Sequence, residues 1–379
     1  MKIAFVTTYD SGDVSAWSGT PYFMLRAFER HGVGVQAVGP LTAAGMPLWN
    51  LKRFVYRSML RRKYHWQREP GLLKAYAVQI RRTVSSLGVD AILSPSTMPL
   101  SLLRCDIPVV FWTDATFAGM VDFYDSFSNL CRETLLHGNR MEQCALDNSD
   151  LAIYSSHWAA ESALSKYTVQ PEKVRVVPFG ANMESGLTRD EVQEHISKRA
   201  DSRCELLFVG VDWERKGGGL ALRLCELLNR NGLPAHITLV GSKPSGELPG
   251  YATSAGFISK ATEAGRQRLR ELYLRSHFLV LPTRADCVPV VLAEANSFAV
   301  PVLTTDVGGI SSVVSKGENG RAFPLSAETA EYANFVQENA PGSREYLALA
   351  LSSYDRYARD LNWEQAAGSV IGALKELRR

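Results

Sequence analysis

Short apolar runs alternate with amphipathic stretches along the whole chain, which predicts a parallel α/β architecture. In the first half the runs place strands at residues 3–7, 34–38, 91–94, 109–112, 151–154 and 174–177. In the second half they place strands at residues 205–209, 236–240, 255–258, 278–281 and 300–304. Helical spacing fills the intervals, as at residues 21–31, 219–231 and 262–276. At the chain's end Trp363, Ala366, Ala367, Val370, Ile371, Leu374 and Leu377 recur at helical spacing, so residues 362–379 are expected to be one helix. Local signals agree: Thr20 reads as a cap before first-turn Pro21, and Gly232 follows the last turn of its helix.

The two series are interrupted at residues 178–203, a polar and charged stretch with no strand-like run, and the linker is placed there. With 379 residues, two domains of ordinary size follow. Each half then builds its own doubly wound sheet, with a cleft expected between the halves. Ligands of open α/β sheets bind beyond the carboxyl ends of the strands, so residues just after strands come first for inspection.

Composition narrows the class further. A hydrophobic content of 46% with 21% charged residues is that of a folded globular protein. The net charge of +3 gives no argument for nucleic acid. The six cysteines, at positions 105, 131, 144, 204, 225 and 287, form no C-x-x-C pair or Cys/His cluster, so a reduced compartment and no metal site are expected. The opening MKIAFVTTY is too short an apolar stretch for a leader and reads as a buried first strand. No run approaches the roughly 18 apolar residues of a membrane span.

Residues 51–70, LKRFVYRSMLRRKYHWQREP, stand apart. Lys52, Arg53, Arg57, Arg61, Arg62, Lys63 and Arg68 are interleaved with Phe54, Val55, Met59, Leu60, Tyr64 and Trp66. Two readings are open. One is a basic amphipathic helix that meets anionic lipid or an acidic acceptor. The other is a solvated helix face that packs its aromatic side inward.

The chemistry concentrates in residues 277–309, HFLVLPTRADCVPVVLAEANSFAVPVLTTDVGG. A buried strand ends near Leu281, a short loop follows, and Pro289 stands where a helix would begin. Such a helix end presents unpaired amides and partial positive charge, a ready seat for phosphate. Asp286 precedes it by three residues, and Glu294 lies about one and a half turns into the helix. Two carboxylates would repel phosphates, but each can accept paired hydrogen bonds from a sugar diol.

This stretch resembles the acidic–seven-residue–acidic motif of the retaining family 4 glycosyltransferases, which have the GT-B fold. The resemblance continues through AEANSFAVPVLTTDVGG and is strong over residues 205–325. Asp286 stands where the family usually has Glu, and Pro289 where it usually has glycine. Proline has no N–H, so amide contacts are expected from Val288, Val290 or Val291. A second match is LLFVGVDWERKGGGLAL, residues 206–222, where the resemblance makes Lys216 the ligand of the donor diphosphate. The family's arginine falls at Val211, and Arg215 is the substitute.

Looser matches implied by the resemblance are Gly19 and Thr20 on the acceptor side and Asp114, a catalytic candidate with Asp286, beside Thr113, where the family has a His-Asp pair. Ile258 falls at a position whose backbone meets the nucleobase. The implied domains are residues 1–183 with 362–379, and residues 184–361, as two facing Rossmann-like units. The implied activity is a retaining, metal-independent hexosyl transfer from a nucleotide sugar to a glycan or lipid-linked acceptor. The expected location is cytoplasmic, with residues 51–70 the candidate contact to the inner membrane face. A sugar-nucleotide epimerase, a glycosyl phosphorylase and a non-catalytic donor-binding subunit are the alternatives on this fold.

Absences sharpen the reading. There is no D-x-D to hold a metal-bound diphosphate, so the lysine and helix end must stabilise the leaving group without a metal cofactor. No G-x-G-x-x-G follows the first strand, no G-x-x-x-x-G-K-[S/T] occurs, and no G-x-S-x-G elbow is present. These count against dinucleotide oxidoreductases, P-loop enzymes and serine hydrolases.

Overall fold

The computed structural model describes residues 1–43, 45–199 and 202–377. It divides into two compact units, Met1–Pro178 with Ala366–Arg379, and Phe179–Gln365. Within the first unit β1 (Lys2–Val6), β2 (Gly34–Val38), β3 (Ala91–Ser94), β4 (Val109–Thr113), β5 (Leu151–Tyr154) and β6 (Val174–Val176) form one sheet. The order is β2-β1-β3-β4-β5-β6, and every pairing is parallel. β3, β4 and β5 are buried along their whole length, as strands covered on both faces must be.

In the second unit β7 (Cys204–Gly210), β8 (Ala235–Gly241), β9 (Ala252–Gly256), β10 (Phe278–Leu281), β11 (Val302–Thr305) and β12 (Gly320–Phe323) form another parallel sheet. Its order is β12-β11-β10-β7-β8-β9. The chain runs outward from β7 through β8 to β9, then returns to lay β10 on the other side of β7. The strand order therefore reverses between β7 and β10, the point where open sheets of this class bind ligands.

Several expectations are corrected. β12 was missed because GRAF is neither long nor apolar, and its parallel pairing to β11 is non-local. β9 lies three residues earlier than its expected start, with Ile258 in the loop beyond it. Thr20 is not a cap: it opens the helix Thr20–Arg30, and Gly19 holds the cap position in the left-handed region at φ +87°. Pro289 likewise precedes rather than opens its helix, Val290–Ser297.

The stretch expected as linker is largely structured within the second unit. The helix Arg189–Ser197 is closed at its start by a capping box between Thr188 and Glu191, and buries Val192 and Ile196. Beyond it the buried Arg199 donates to the carbonyls of Phe298 (2.6 Å), Ala299 (2.8 Å) and Leu274 (3.1 Å), with the Tyr346 hydroxyl at 2.6 Å. The cation thereby satisfies the carbonyl end of the helix Val290–Ser297 and holds Ala299 at φ +53°. Arg199→Ala should cost about 3 kcal/mol, because buried carbonyls lose their donors. A urea titration checks it, and an unchanged midpoint would count against this role.

The region 51–70 is not one helix. A helix spans Met46–Ser58, a short 3-10 turn covers Trp66–Arg68, and a new helix begins at Pro70. Its burial divides the segment: Tyr64 is buried, Tyr56 stacks on it and Trp66 packs against the core, as inward packing requires, but one apolar group stays outside. Phe54, Met59 and Leu60 are exposed, whereas Tyr64 and Arg68 are buried. Among the described residues, no helix is long and apolar enough to cross a membrane.

Candidate functional site

In the second unit the loops leaving β7 and β10 interlock. The Arg284 amide donates to the Arg215 carbonyl (2.7 Å), and Gly217 turns at φ +76° where a Cβ would overlap the Pro282 carbonyl. Glycine is therefore required at 217 by close approach as well as by backbone conformation. Gly218 opens the next helix, Gly218–Arg230, with the Trp213 ring where its side chain would stand.

This interlock brings the expected cations onto the first acid. Lys216 Nζ lies 2.7 Å from Asp286 Oδ2, and Arg215 Nη1 lies 3.3 Å from the same oxygen. Arg215 also donates to the Ala285 carbonyl (2.7 Å), and the Thr283 hydroxyl stands 2.9 Å from Asp286 Oδ2. Asp286 is 8% exposed. Two cations converging on one carboxylate oxygen leave local positive charge for a second anion, although Asp212 offsets part of it through Arg215 at 3.2 Å.

The second acid lies on the helix Val290–Ser297. No side chain caps the beginning of that helix, the Leu292 amide is taken by the Pro289 carbonyl, and the Val290 and Val291 amides stand in its first turn. The half-buried Val288 packs against the unit's core. Behind it the Gly309 amide donates to the Cys287 carbonyl at 2.6 Å, fixing the loop before the helix. Glu294 is fully buried, ion-paired to Lys260 and 3.2 Å from the Tyr273 hydroxyl. Burial first, then the Glu294 carboxylate, holds the Tyr273 phenol well above its usual range, so Tyr273 stays a donor.

Lys260, Tyr273 and Thr283 escaped the sequence reading. Only Lys260 had a signal, standing two residues after Ile258 in GFISK. Ile258 is half-buried against the core, and its neighbour Phe257 is 74% exposed. Val211, where the resemblance puts an arginine, is exposed.

The first unit holds the remaining expected residues. Gly19 and Thr20 follow β1, at the end of a turn in which Trp17, Ser18 and Gly19 are all left-handed. A Cβ on Gly19 would lie 3.0 Å from the Val14 carbonyl. Asp114 follows β4, half-buried. Burial, then the Asp114 charge, raises the phenol of Tyr9 above its usual range. His157 is exposed at the start of its helix, His157–Lys166, behind the Ser156 cap.

Two parallel doubly wound sheets define the GT-B class of fold. Sucrose-phosphate synthase from Thermosynechococcus elongatus superposes with a TM-score of 0.70 at 16% identity, over 100% of this chain and 99% of that one. Anabaena HepE in complex with UDP-glucose gives 0.65 at 14% identity, over 99% and 100%. Residues 203–338, which contain Arg215, Lys216, Asp286 and Glu294, match the family model "Glycosyl transferases group 1". Among curated relatives, the D-inositol 3-phosphate glycosyltransferase of Rhodococcus erythropolis is 26% identical over 252 residues, 62% of this chain and 55% of that protein. The Thermomonospora curvata enzyme of the same name is 27% identical over 255 residues, 61% and 58%. The matched part thus spans little more than half the length of these relatives.

Proposed function

We propose that the chain is a retaining glycosyltransferase, moving a hexosyl group from a nucleoside diphosphate sugar to a hydroxyl of a glycan or lipid-linked acceptor. The observation that carries this is the Lys216–Asp286–Arg215 cluster at the sheet's switch point, beside an uncapped helix end. The glycosyltransferase names of the relatives and the UDP-glucose bound to HepE support the same reading.

The diphosphate docks on the Val290 and Val291 amides with Lys216 and Arg215 against its oxygens. That takes the cations off Asp286 and frees its carboxylate for sugar hydroxyls. Glu294 accepts the ribose hydroxyls once Lys260 shifts aside, and the Ile258 backbone meets the base. The bond from the anomeric carbon to phosphate oxygen breaks while the acceptor oxygen bonds to that carbon on the same face. The acceptor's proton passes to the leaving phosphate oxygen. Lys216 and the helix end stabilise the charge that develops there, in place of a metal ion. Gly19, Thr20 and Asp114 serve the acceptor.

A thermal-shift panel of UDP, GDP, ADP and their sugar conjugates tests the reading. The correct nucleotide at a hundredfold over its dissociation constant should add about 2.7 kcal/mol of stability. Transfer of labelled sugar from the selected donor into a lipid-linked acceptor extract then tests the reaction, and release of nucleotide or sugar without acceptor would contradict it. Glu294→Ala should weaken nucleoside diphosphate binding more than Asp286→Ala, which should mainly lower turnover. Calorimetry giving Glu294→Ala the parent's nucleotide affinity would overturn the assignment to ribose.

A further inference from the structure

From Arg30 to Arg68 the chain contains no Asp or Glu. Within this stretch the helix Met46–Ser58 buries none of its residues. Its inner side is held by a polar seat rather than by an apolar stripe. Lys52 Nζ lies 2.6 Å from Glu133 and 3.2 Å from Glu69, over the rings of Trp49 (5.5 Å) and Tyr64 (5.7 Å). Tyr56 stacks on Tyr64 at 5.3 Å and donates to Glu133 at 3.1 Å. His137 closes the seat, 3.5 Å from Glu69.

The outer side is the reverse of what a helix on a water-facing domain presents. Leu48, Leu51, Phe54, Met59 and Leu60 are 53%, 60%, 64%, 74% and 56% exposed. Five of the twelve exposed large hydrophobic residues among those described thus fall within thirteen positions, a cluster and not the ordinary scatter of a surface. Pro47, Leu51, Phe54 and Ser58 recur at helical spacing along one line, with Arg53 and Arg57 beside it and Arg61 just past the end. Lys52, Lys63 and Arg68 are spent on internal ion pairs, whereas Arg53, Arg57 and Arg61 are exposed and form none among the described residues.

We infer that this outer face docks on an anionic lipid surface. The helix lies in the plane of the interface, its leucines, Phe54 and Met59 entering the boundary of headgroups and acyl chains, its three arginines on lipid phosphates. Charge and shape select this occupant. A nucleic acid would satisfy the arginines but leave the large aliphatic side chains between them in water. A second copy would bring like arginines together across a symmetric contact. The Lys52 seat makes the helix a rigid foot, fixed to the first unit through Glu69 and Glu133.

Co-sedimentation of the full chain with phosphatidylcholine vesicles, with and without phosphatidylglycerol, tests this. Binding is expected only with the anionic lipid. A triple Arg53→Gln, Arg57→Gln, Arg61→Gln variant should lose about a hundredfold in vesicle affinity, at about fivefold per charge. A triple Leu51→Ser, Phe54→Ser, Met59→Ser variant should also lose binding, with the parent's melting temperature and nucleotide binding intact because none of these side chains is buried. Three results would overturn the inference. One is a parent that ignores anionic vesicles at low salt. Another is vesicle binding indifferent to the serine variant. The third is a parent that self-associates, or binds RNA, through this face instead.

Discussion

Lys216→Ala should lower sugar transfer by about a hundredfold or more, while chelation with EDTA leaves the parent's rate unchanged. The magnitude is that of removing one preorganised stabiliser of charge that develops in the transition state. The side chain is 13% exposed and its ammonium lies 2.7 Å from Asp286, so the cation is largely shielded and already aimed before donor arrives. Its loss also leaves Asp286 with the Thr283 hydroxyl at 2.9 Å and, among the described residues, one paired cation, Arg215 at 3.3 Å, for which the carboxylate would then compete with phosphate. Lys216→Arg should recover part of the rate, since charge is restored with altered reach. A Lys216→Ala enzyme near the parent's turnover would remove the lysine from the mechanism. A parent silenced by EDTA and revived by magnesium or manganese would replace it with a metal.

The interior strands were legible because strands buried on both faces become continuous apolar runs, as in FLVL of β10 and LAIY of β5. The edges were less so. β12 is held by its partner: at φ +137°, Gly320 lies against Val302 so closely that a Cβ would overlap the Val302 carbonyl. Nothing in GRAF announces that neighbour. The stretch placed as linker holds more structure than its polarity announced, for a related reason. Its helix buries only two residues, and Arg199 gains its meaning from carbonyls about a hundred residues away.

The candidate donor site was legible as residues and not as contacts. Local pattern and resemblance pointed to Asp286, Glu294 and Lys216 separately, Asp286 and Lys216 in loops between a strand and a helix and Glu294 within the helix Val290–Ser297. That Lys216 sits on Asp286 depends on β7 and β10 being neighbours, a consequence of strand order that no local pattern encodes. Lys260 on Glu294 is equally non-local, joining the loop after β9 to a helix on the other side of the switch point. The basic segment was left with two readings, because alternating cations and apolar residues predict which faces exist but not which one turns inward. Glu69 and Glu133, outside the helix, decide which side turns inward by seating Lys52.

Deleting residues 362–379 should abolish stable folding, although no proposed site residue lies there. The helix Trp363–Glu376 starts on residues of the second unit. Trp363 is fully buried, stacks on Phe179 at 5.8 Å, and its indole donates to Asn182 at 3.1 Å. Gly180 lies so close to Trp363 that a Cβ would overlap the tryptophan's backbone nitrogen. Removing that ring alone is worth about 3–5 kcal/mol, comparable with the lower end of a domain's net stability of about 5–15 kcal/mol. From Ala366 onward the helix is counted with the first unit, where Ala366, Ala367, Val370, Ile371 and Leu374 are buried. Arg378 and Arg379 lie outside the described residues. The deletion therefore strips apolar cover from both units at once, and a soluble remnant should show lowered thermal melting in each. Trp363→Ala separates the two effects: its loss should fall on the second unit, read as weaker nucleotide protection in a thermal shift. A truncated chain that melts with the parent and transfers sugar at the parent's rate would show that the terminal helix is dispensable.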